Sequence, residues 1–236
     1  MKILGFDTCF DACSVCVGQQ SDGVFHELAS ACEHYEMGHA ERLTPLIAEV
    51  MAQADITFDD LDRIAVTVGP GTFTGTRIGV AAARGLALAS GLSIVGVSSL
   101  AVMAQDAAGQ LESTGPGTDL AIAVDARRGE VYIQLFGAGA GVREAKSAPM
   151  LLSHEEASRI GGSGPLVIAG SGAAAVANIA VGQRRDVSAH LPGLLPEAKF
   201  LVRMAAELPC VDGPLLPLYL RPPDAKPQHA KTIARV

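Results

Sequence analysis

With 236 residues, 49% of them hydrophobic and only 18% charged, the chain can bury a real core as one large domain or two small lobes, which excludes disorder, collagen and a disulfide-stapled miniprotein. Eighteen Lys and Arg against 25 Asp and Glu leave a net charge of −7, so the surface as a whole carries no field that gathers phosphate backbones, and service to nucleic acid would lean on a partner. Five cysteines, three of them crowded at Cys9, Cys13 and Cys16, and Asp7 interrupting the first apolar run point to a reducing cytoplasm rather than to secretion.

Residues 2–7 read as a short buried strand, 12–18 as a second after a turn at Phe10 and Asp11, and 24–30 as a third after Ser21, Asp22 and Gly23. From His39 the period changes. Leu43, Leu46, Ile47, Val50, Met51 and Ala54 fall at i, i+3, i+4, i+7, i+8 and i+11, one face of a helix. Pro45 removes a backbone donor and crowds the carbonyl of Glu41, so this helix either starts near Glu41 or kinks at the proline. Asp59 and Asp60 lead into a strand at 63–68. A glycine-rich turn then opens a helix over roughly 74–89, and 94–97 forms the next strand. Residues 85–104 are twenty positions without a charge, about the length of a membrane span, but Gly91 and the β-type run that follows divide them into two elements.

A loop rich in Gly, Ser and Thr at 107–118 follows, and then the order restarts. Residues 120–125 read as a strand ending in Asp125, 130–136 as a second, and 142–147 as a weaker third. A polar helix begins near Ser153, a strand covers 166–169, and Gly170, Ser171 and Gly172 open an alanine-rich helix. A last helix at 197–208 precedes a proline-rich, extended tail. The chain is therefore expected to be α/β, with an N-terminal lobe at 1–105 and a C-terminal lobe at 106–236 that carries the final helix and tail. Each lobe would hold a mixed sheet of about five strands in β-β-β-α-β-α order.

The most specific stretch is GPGTFTGTRIG at 69–79. A strand enters a glycine-rich turn, and Thr72 or Thr74 can cap the helix. The unpaired N–H groups there would suit an anion, so Gly69 and Gly71 are candidates for holding a nucleotide phosphate. It is not a Walker loop, because the Gly-Lys-Ser/Thr ending is missing, and no acidic residue completes a dinucleotide fingerprint. Equally, Gly75 and Gly79, joined by Ala82, Ala83 and Leu86, clear bulk from one helix stripe so that another helix can approach. Asp7 and Thr8 stand between the first two strands, where a carboxylate can orient a metal-bound phosphate or simply form an Asx turn.

Cys9, Cys13 and Cys16 have the spacing of a radical-enzyme iron–sulfur site. Cys13 and Cys16, however, lie an odd number of positions apart in a strand, which sends their thiols to opposite faces and favours small buried hydrophobes. His34 and His39 do not have a zinc spacing, and neither Gly-x-Ser-x-Gly nor His-Glu-x-x-His occurs.

Two lobes of this order, each with an Asp after its first strand, resemble the actin, sugar-kinase and heat-shock ATPase superfamily. More narrowly, ILGFDT (3–8), HAERLTP (39–45), VGPGTFTGTRIG (68–79), GVSSL (96–100), DARRGEVY (125–132) and PLYLR (217–221) resemble, in order, the TsaB family of tRNA threonylcarbamoyladenosine biosynthesis proteins. The resemblance implies actin-like (ribonuclease H-like) lobes. It also implies a non-catalytic scaffold for TsaD, the enzyme that transfers a threonylcarbamoyl group to the adenosine beside the anticodon. TsaE would be an ATPase helper, and a homodimer would form when TsaD is missing. tRNA would be reached only through the complex, with no membrane role, no intrinsic cofactor, and ATP or ADP only within the assembly. The metal-binding His-x-x-x-His of TsaD falls here on Ser99 and Met103, neither of them a suitable ligand. The family's partner seam maps to His39, Leu43, Leu46, Ile47 and Val50 on the first helix. On the second helix it maps to Gly75, Ile78, Gly79, Ala82, Ala83 and Leu86. The rival expectation is a small-molecule kinase or ATPase using Asp7, Thr8, Asp125 and the Gly170–Gly172 turn; an iron–sulfur enzyme is a third.

Overall fold

The computed structural model describes residues 1–34, 37–111, 118–137 and 143–221. Strands β1 (Lys2–Asp7), β2 (Ala12–Ser21) and β3 (Val24–His34) form an antiparallel meander. After helix α1 (His39–Gln53), β4 (Arg63–Thr67) returns parallel to β1, and after α2 (Phe73–Ser90), β5 (Ser93–Val97) lies parallel to β4. The sheet order is β3-β2-β1-β4-β5. Its central strands are buried on both faces, which is why they read as nearly unbroken apolar runs. Leu4, Phe6, Cys13, Val15 and Val17 face α1 and α2, whereas Ile3, Cys16, Ala65 and Val95 face the other way.

The local signals explain the helix ends. The Thr72 hydroxyl accepts from the Gly75 N–H (3.1 Å) at the start of α2, and Gly91 closes it in the left-handed region (φ 74°) with its N–H on the Ala87 carbonyl. Helix α1 starts at His39, ahead of the expected Glu41, and runs through Pro45. Both Pro45 and Glu41 are exposed, so the carbonyl that loses its helical donor stands on the solvent side of the helix.

The second lobe repeats the plan. Strands β6 (Asp119–Asp125), β7 (Glu130–Phe136) and β8 (Met150–Ser153) are antiparallel, and α4 (His154–Ala157), β9 (Leu166–Ala169), α5 (Ala173–Gly182) and β10 (Val187–His190) complete a sheet ordered β10-β9-β6-β7-β8. This is the topology of the first sheet, read from its other edge. The third strand is displaced from its expected place: residue 142 lies outside the described residues, 143–147 contribute a single bridge from Ala145 to Phe136, and the strand proper is β8. Strand β10 escapes sequence reading because four mostly exposed edge residues carry no alternation.

Two corrections concern the lobe boundary. Residues 99–110 form helix α3 (Ser99–Gln110), which passes unbroken through the expected seam at 105 and takes in the start of the expected loop. Leu100, Met103, Ala104 and Ala107 pack against the second sheet, while Val102 packs toward the first. A helix buried nearly all round shows no polar stripe, so its sequence has no helical period to read. Helix α6 (Ala198–Ala205), assigned by position to the second lobe, covers the first sheet instead. Leu201 and Val202 meet Ile3, Ala65 and Val95. Its first N–H donates to the Ser14 hydroxyl of β2 (2.8 Å), and Arg63 of β4 donates to the carbonyls of Ala205 (2.9 Å) and Leu208 (3.1 Å) at its other end. The described part of the tail carries no helix or strand, and it returns to the first lobe through Val211 N–H to Ile94 and Leu218 N–H to Val68. The uncharged run 85–104 is divided among α2, β5 and α3, and among the described residues no helix is long and apolar enough to cross a membrane.

Candidate functional site

The turn after β1 is a closed knot. Asp7 is fully buried and accepts hydrogen bonds from the Thr67 hydroxyl and the Cys9 N–H (3.2 Å). Burial, only partly offset by these donors, pushes its carboxyl up to about 7. Thr8 donates through its hydroxyl to the Gly75 carbonyl (2.7 Å), and Thr72 N–H donates to the Cys9 carbonyl (2.7 Å). The Cys9 thiol donates to Thr67 Oγ1 (3.3 Å) and is itself pushed up by burial and by neighbouring Asp7.

The reason for GPGTFTGTRIG lies here. A Cβ at Gly75 would stand 2.0 Å from the Thr8 carbonyl oxygen, and one at Gly79 would stand 2.8 Å from Thr8 Oγ1. The two glycines therefore bring α2 onto the molecule's own first turn, not onto another helix, which corrects the expectation of a helix seam along this stripe. The four phosphate candidates Asp7, Thr8, Gly69 and Gly71 do converge. Asp7 and Thr8, however, are sealed beneath α2, Gly69 is buried with its carbonyl accepting from Ser99 N–H (3.0 Å), and of the four only Gly71 borders open space.

The expected partner residues are also turned inward. Leu43, Leu46, Ile47, Val50 and Ala83 are buried in the core between the helices and the first sheet, with Ile78, Ala82 and Leu86 half-buried around it. His39 donates through Nε2 to the Phe10 carbonyl (2.8 Å). Periodicity identifies the face a helix buries; it does not say what covers that face, and here it is the chain's own sheet. The outward surface of these helices is different: Ala40, Thr44, Ala48 and Ala52 on α1, beside exposed Glu41 and Glu49, and Ala81, Gly85 and Leu88 on α2, beside exposed Arg84. Leu88 is 88% exposed, and nothing lies within 4 Å of where a Gly85 Cβ would be. No sequence signal marks this face except that its side chains are small.

Cys13 and Cys16 point to opposite faces of the sheet, as their spacing requires, and Cys9 joins a third cluster. No three His, Cys, Asp or Glu among the described residues are placed to hold a metal. Ser99 donates to the Pro70 carbonyl (2.5 Å), and Met103 is fully buried.

Between the lobes lies a cavity of about 530 Å³, walled by Phe10, residues 70–73 and Arg77 of the first lobe, Asp125, Arg127 and Tyr132 of the second, and residues 218–221 of the tail. Of the two aspartates that end the first strands, only Asp125 faces it. Asp125 Oδ1 accepts from Arg127 N–H (2.8 Å), and the Gly170–Gly172 turn is tied to β6 through Gly172 N–H on Ala123 and Ser171 Oγ accepting from Asp125 N–H. The two carboxylates of the kinase expectation, Asp7 and Asp125, are therefore not both open to this cavity.

A family model, TsaD: tRNA N6-adenosine threonylcarbamoyltransferase, matches residues 21–195. The tRNA threonylcarbamoyladenosine biosynthesis protein TsaB of Escherichia coli is 38% identical over 56% of this chain and 53% of its own length. The chain belongs to the TsaD family. An uncharacterised Mycobacterium tuberculosis relative, Rv3421c, is 34% identical over 80% of this chain and 78% of its own. The structure of YeaZ from Pseudomonas aeruginosa superposes with a TM-score of 0.77 at 30% identity, covering 93% of this chain and 99% of that one, so the two actin-like lobes and their arrangement are those of a solved relative. The match spans only about half the length of the TsaB proteins of Escherichia coli, Buchnera aphidicola and Haemophilus influenzae.

Proposed function

We propose that the chain serves tRNA threonylcarbamoyladenosine biosynthesis in the cytoplasm as a non-catalytic subunit that binds and stabilises a TsaD-type enzyme. The biosynthetic role rests on the family; the docking role rests on the outward face of α1 and α2. A strip of Ala, Thr and Gly, flanked by Glu41, Glu49 and Arg84 and ending in the exposed Leu88, has small side chains that let another helix pair approach closely, with charges at its rim. With TsaD missing, the same strip would take a second copy of the chain. TsaE and tRNA would join through the assembled complex. The absence of catalysis is supported by Ser99 and Met103 standing where TsaD carries its metal-binding histidines, each already held inside the protein.

Co-expression with the TsaD of the same cell tests the reading. The pair should co-elute, threonylcarbamoyl transfer should require TsaD, and Gly85→Gln combined with Leu88→Glu should separate the two proteins while leaving the melting of this chain intact. Transfer by the lone chain, or co-elution unaffected by the double variant, would overturn it.

A further inference from the structure

Three stretches that lie far apart in the sequence, GPGTFTGTRIG, DARRGEVY and PLYLR, meet along one rim of the cavity between the lobes. The tail reaches that rim from the first lobe. Val211 N–H donates to the Ile94 carbonyl (2.8 Å), Leu215 is buried in the core of the first lobe, and Leu218 N–H donates to the Val68 carbonyl (2.7 Å). Gly96 makes room for this anchor, since a Cβ there would stand 2.7 Å from Leu215 Cδ1. Beyond Leu218, among the described residues, two side chains hold the segment in place of backbone hydrogen bonds. Tyr219 stays with the first lobe: its hydroxyl accepts from Arg77 Nε (2.6 Å), and its ring lies 5.5 Å from that of Phe73, over which the Arg77 guanidinium sits at 3.6 Å. Arg221 crosses to the second lobe, where its Nη2 donates to Oε2 of Glu130 (2.6 Å), the first residue of β7.

The two lobes do not need this crossing to stay together, because α3 is packed against both sheets. What the segment closes is the cavity, of which residues 218–221 form one wall. Its anchor is buried and its end is not: Leu215 is 4% exposed, whereas the side chains of Arg221 and Glu130 are 23% and 36% exposed. A guanidinium–carboxylate pair that water reaches is a weak hold, screened by salt and open to competition for either charge. We infer that residues 219–221 are a releasable latch across the cavity, anchored at Leu215 and Leu218 and shut by Arg221 on Glu130. Breaking that pair frees the end of the tail, removes one wall of the cavity and bares Phe73 and Arg77 at the start of α2. Neither the latch nor its release requires a bound partner.

Amide hydrogen exchange of the full chain, read by NMR, tests it. The Leu218 amide exchanges when the tail lifts from Val68, so its rate reports the open-to-closed ratio of the latch. In Arg221→Gln and in Glu130→Gln it should exchange roughly two- to fivefold faster than in wild type, the shift expected from losing one exposed ion pair. Combining the two substitutions should add nothing, since each alone breaks the pair. Val211 N–H, on the far side of the Leu215 anchor, and the amides of β4 should keep their wild-type rates. Raising salt should speed Leu218 relative to Val211 in wild type and leave that ratio unchanged in the Gln variants. Unchanged Leu218 exchange in the single variants, or no salt effect in wild type, would make the pair a passive surface contact and overturn the inference. So would equal acceleration of Val211 and β4, which marks a general loss of stability, or a further acceleration in the double variant, which marks two separate effects.

Discussion

Asp7 shows how burial decides what a side chain can do. It ends the first strand, where an open carboxylate could face a phosphate, yet it is enclosed by Thr67, Cys9 and the first turn of α2. Its carboxyl is pushed up to about 7 by burial, above the unfolded value of 3.8. The unfolded chain therefore releases this proton at a lower pH than the folded chain does. The stability the group contributes is complete below about pH 4 and is lost as pH rises through about 7. The loss amounts to no more than about 4 kcal/mol, from roughly three pKa units at about 1.36 kcal/mol each. Asp7→Asn should remove this slope, so that wild type loses thermal stability between pH 4.5 and 7.5 relative to the variant. Parallel melting curves of the two proteins across that range would show that Asp7 is not held protonated.

At the scale of an element, helix α2 carries glycines of two kinds that its sequence does not distinguish. Gly75 and Gly79 face Thr8, where added carbon meets backbone oxygen at 2.0 Å and hydroxyl at 2.8 Å; Gly85 faces outward with open space around it. Gly75→Ala and Gly79→Ala should cost about 1–3 kcal/mol or more, Gly75 the greater, since the carbonyl it meets cannot swing away. Gly85→Ala should instead stabilise the chain by about 0.5–1 kcal/mol, because an exposed helix interior favours alanine. Urea unfolding of the three variants checks the order, and a destabilised Gly85→Ala would show that this face is packed in the free protein. The helices α1 and α2 themselves were legible from period, from the Thr72 cap and from Gly91. Helix α3 was not, because apolar residues all round it erase the period, nor was the short edge strand β10.

For the whole molecule, the physical unit is larger than either lobe. Helix α6 closes the first sheet although it comes last in the chain, and α3 lies against both sheets. A fragment of residues 1–110 leaves Ile3, Ala65 and Val95 bare on one face, so it should lack a cooperative melt and bind a hydrophobic dye. Rejoining residues 196–221 through a flexible Gly/Ser linker should restore a cooperative, lower transition. A sharp melt of 1–110 alone would make the N-terminal lobe an independent domain after all. The strand and helix order of β1 through β5, the repeat of one plan in two lobes, the opposite facing of Cys13 and Cys16, and the family itself were determined by residue pattern, since alternation, caps and turn residues act over a few neighbouring positions. What covers each apolar face was decided only in three dimensions. The stripe from His39 to Leu86 serves its own sheet, Asp7 is sealed, α6 crosses to the other lobe, and aromatics and arginines from three distant segments meet in one cavity, because burial depends on partners that lie far along the chain and leave no local mark.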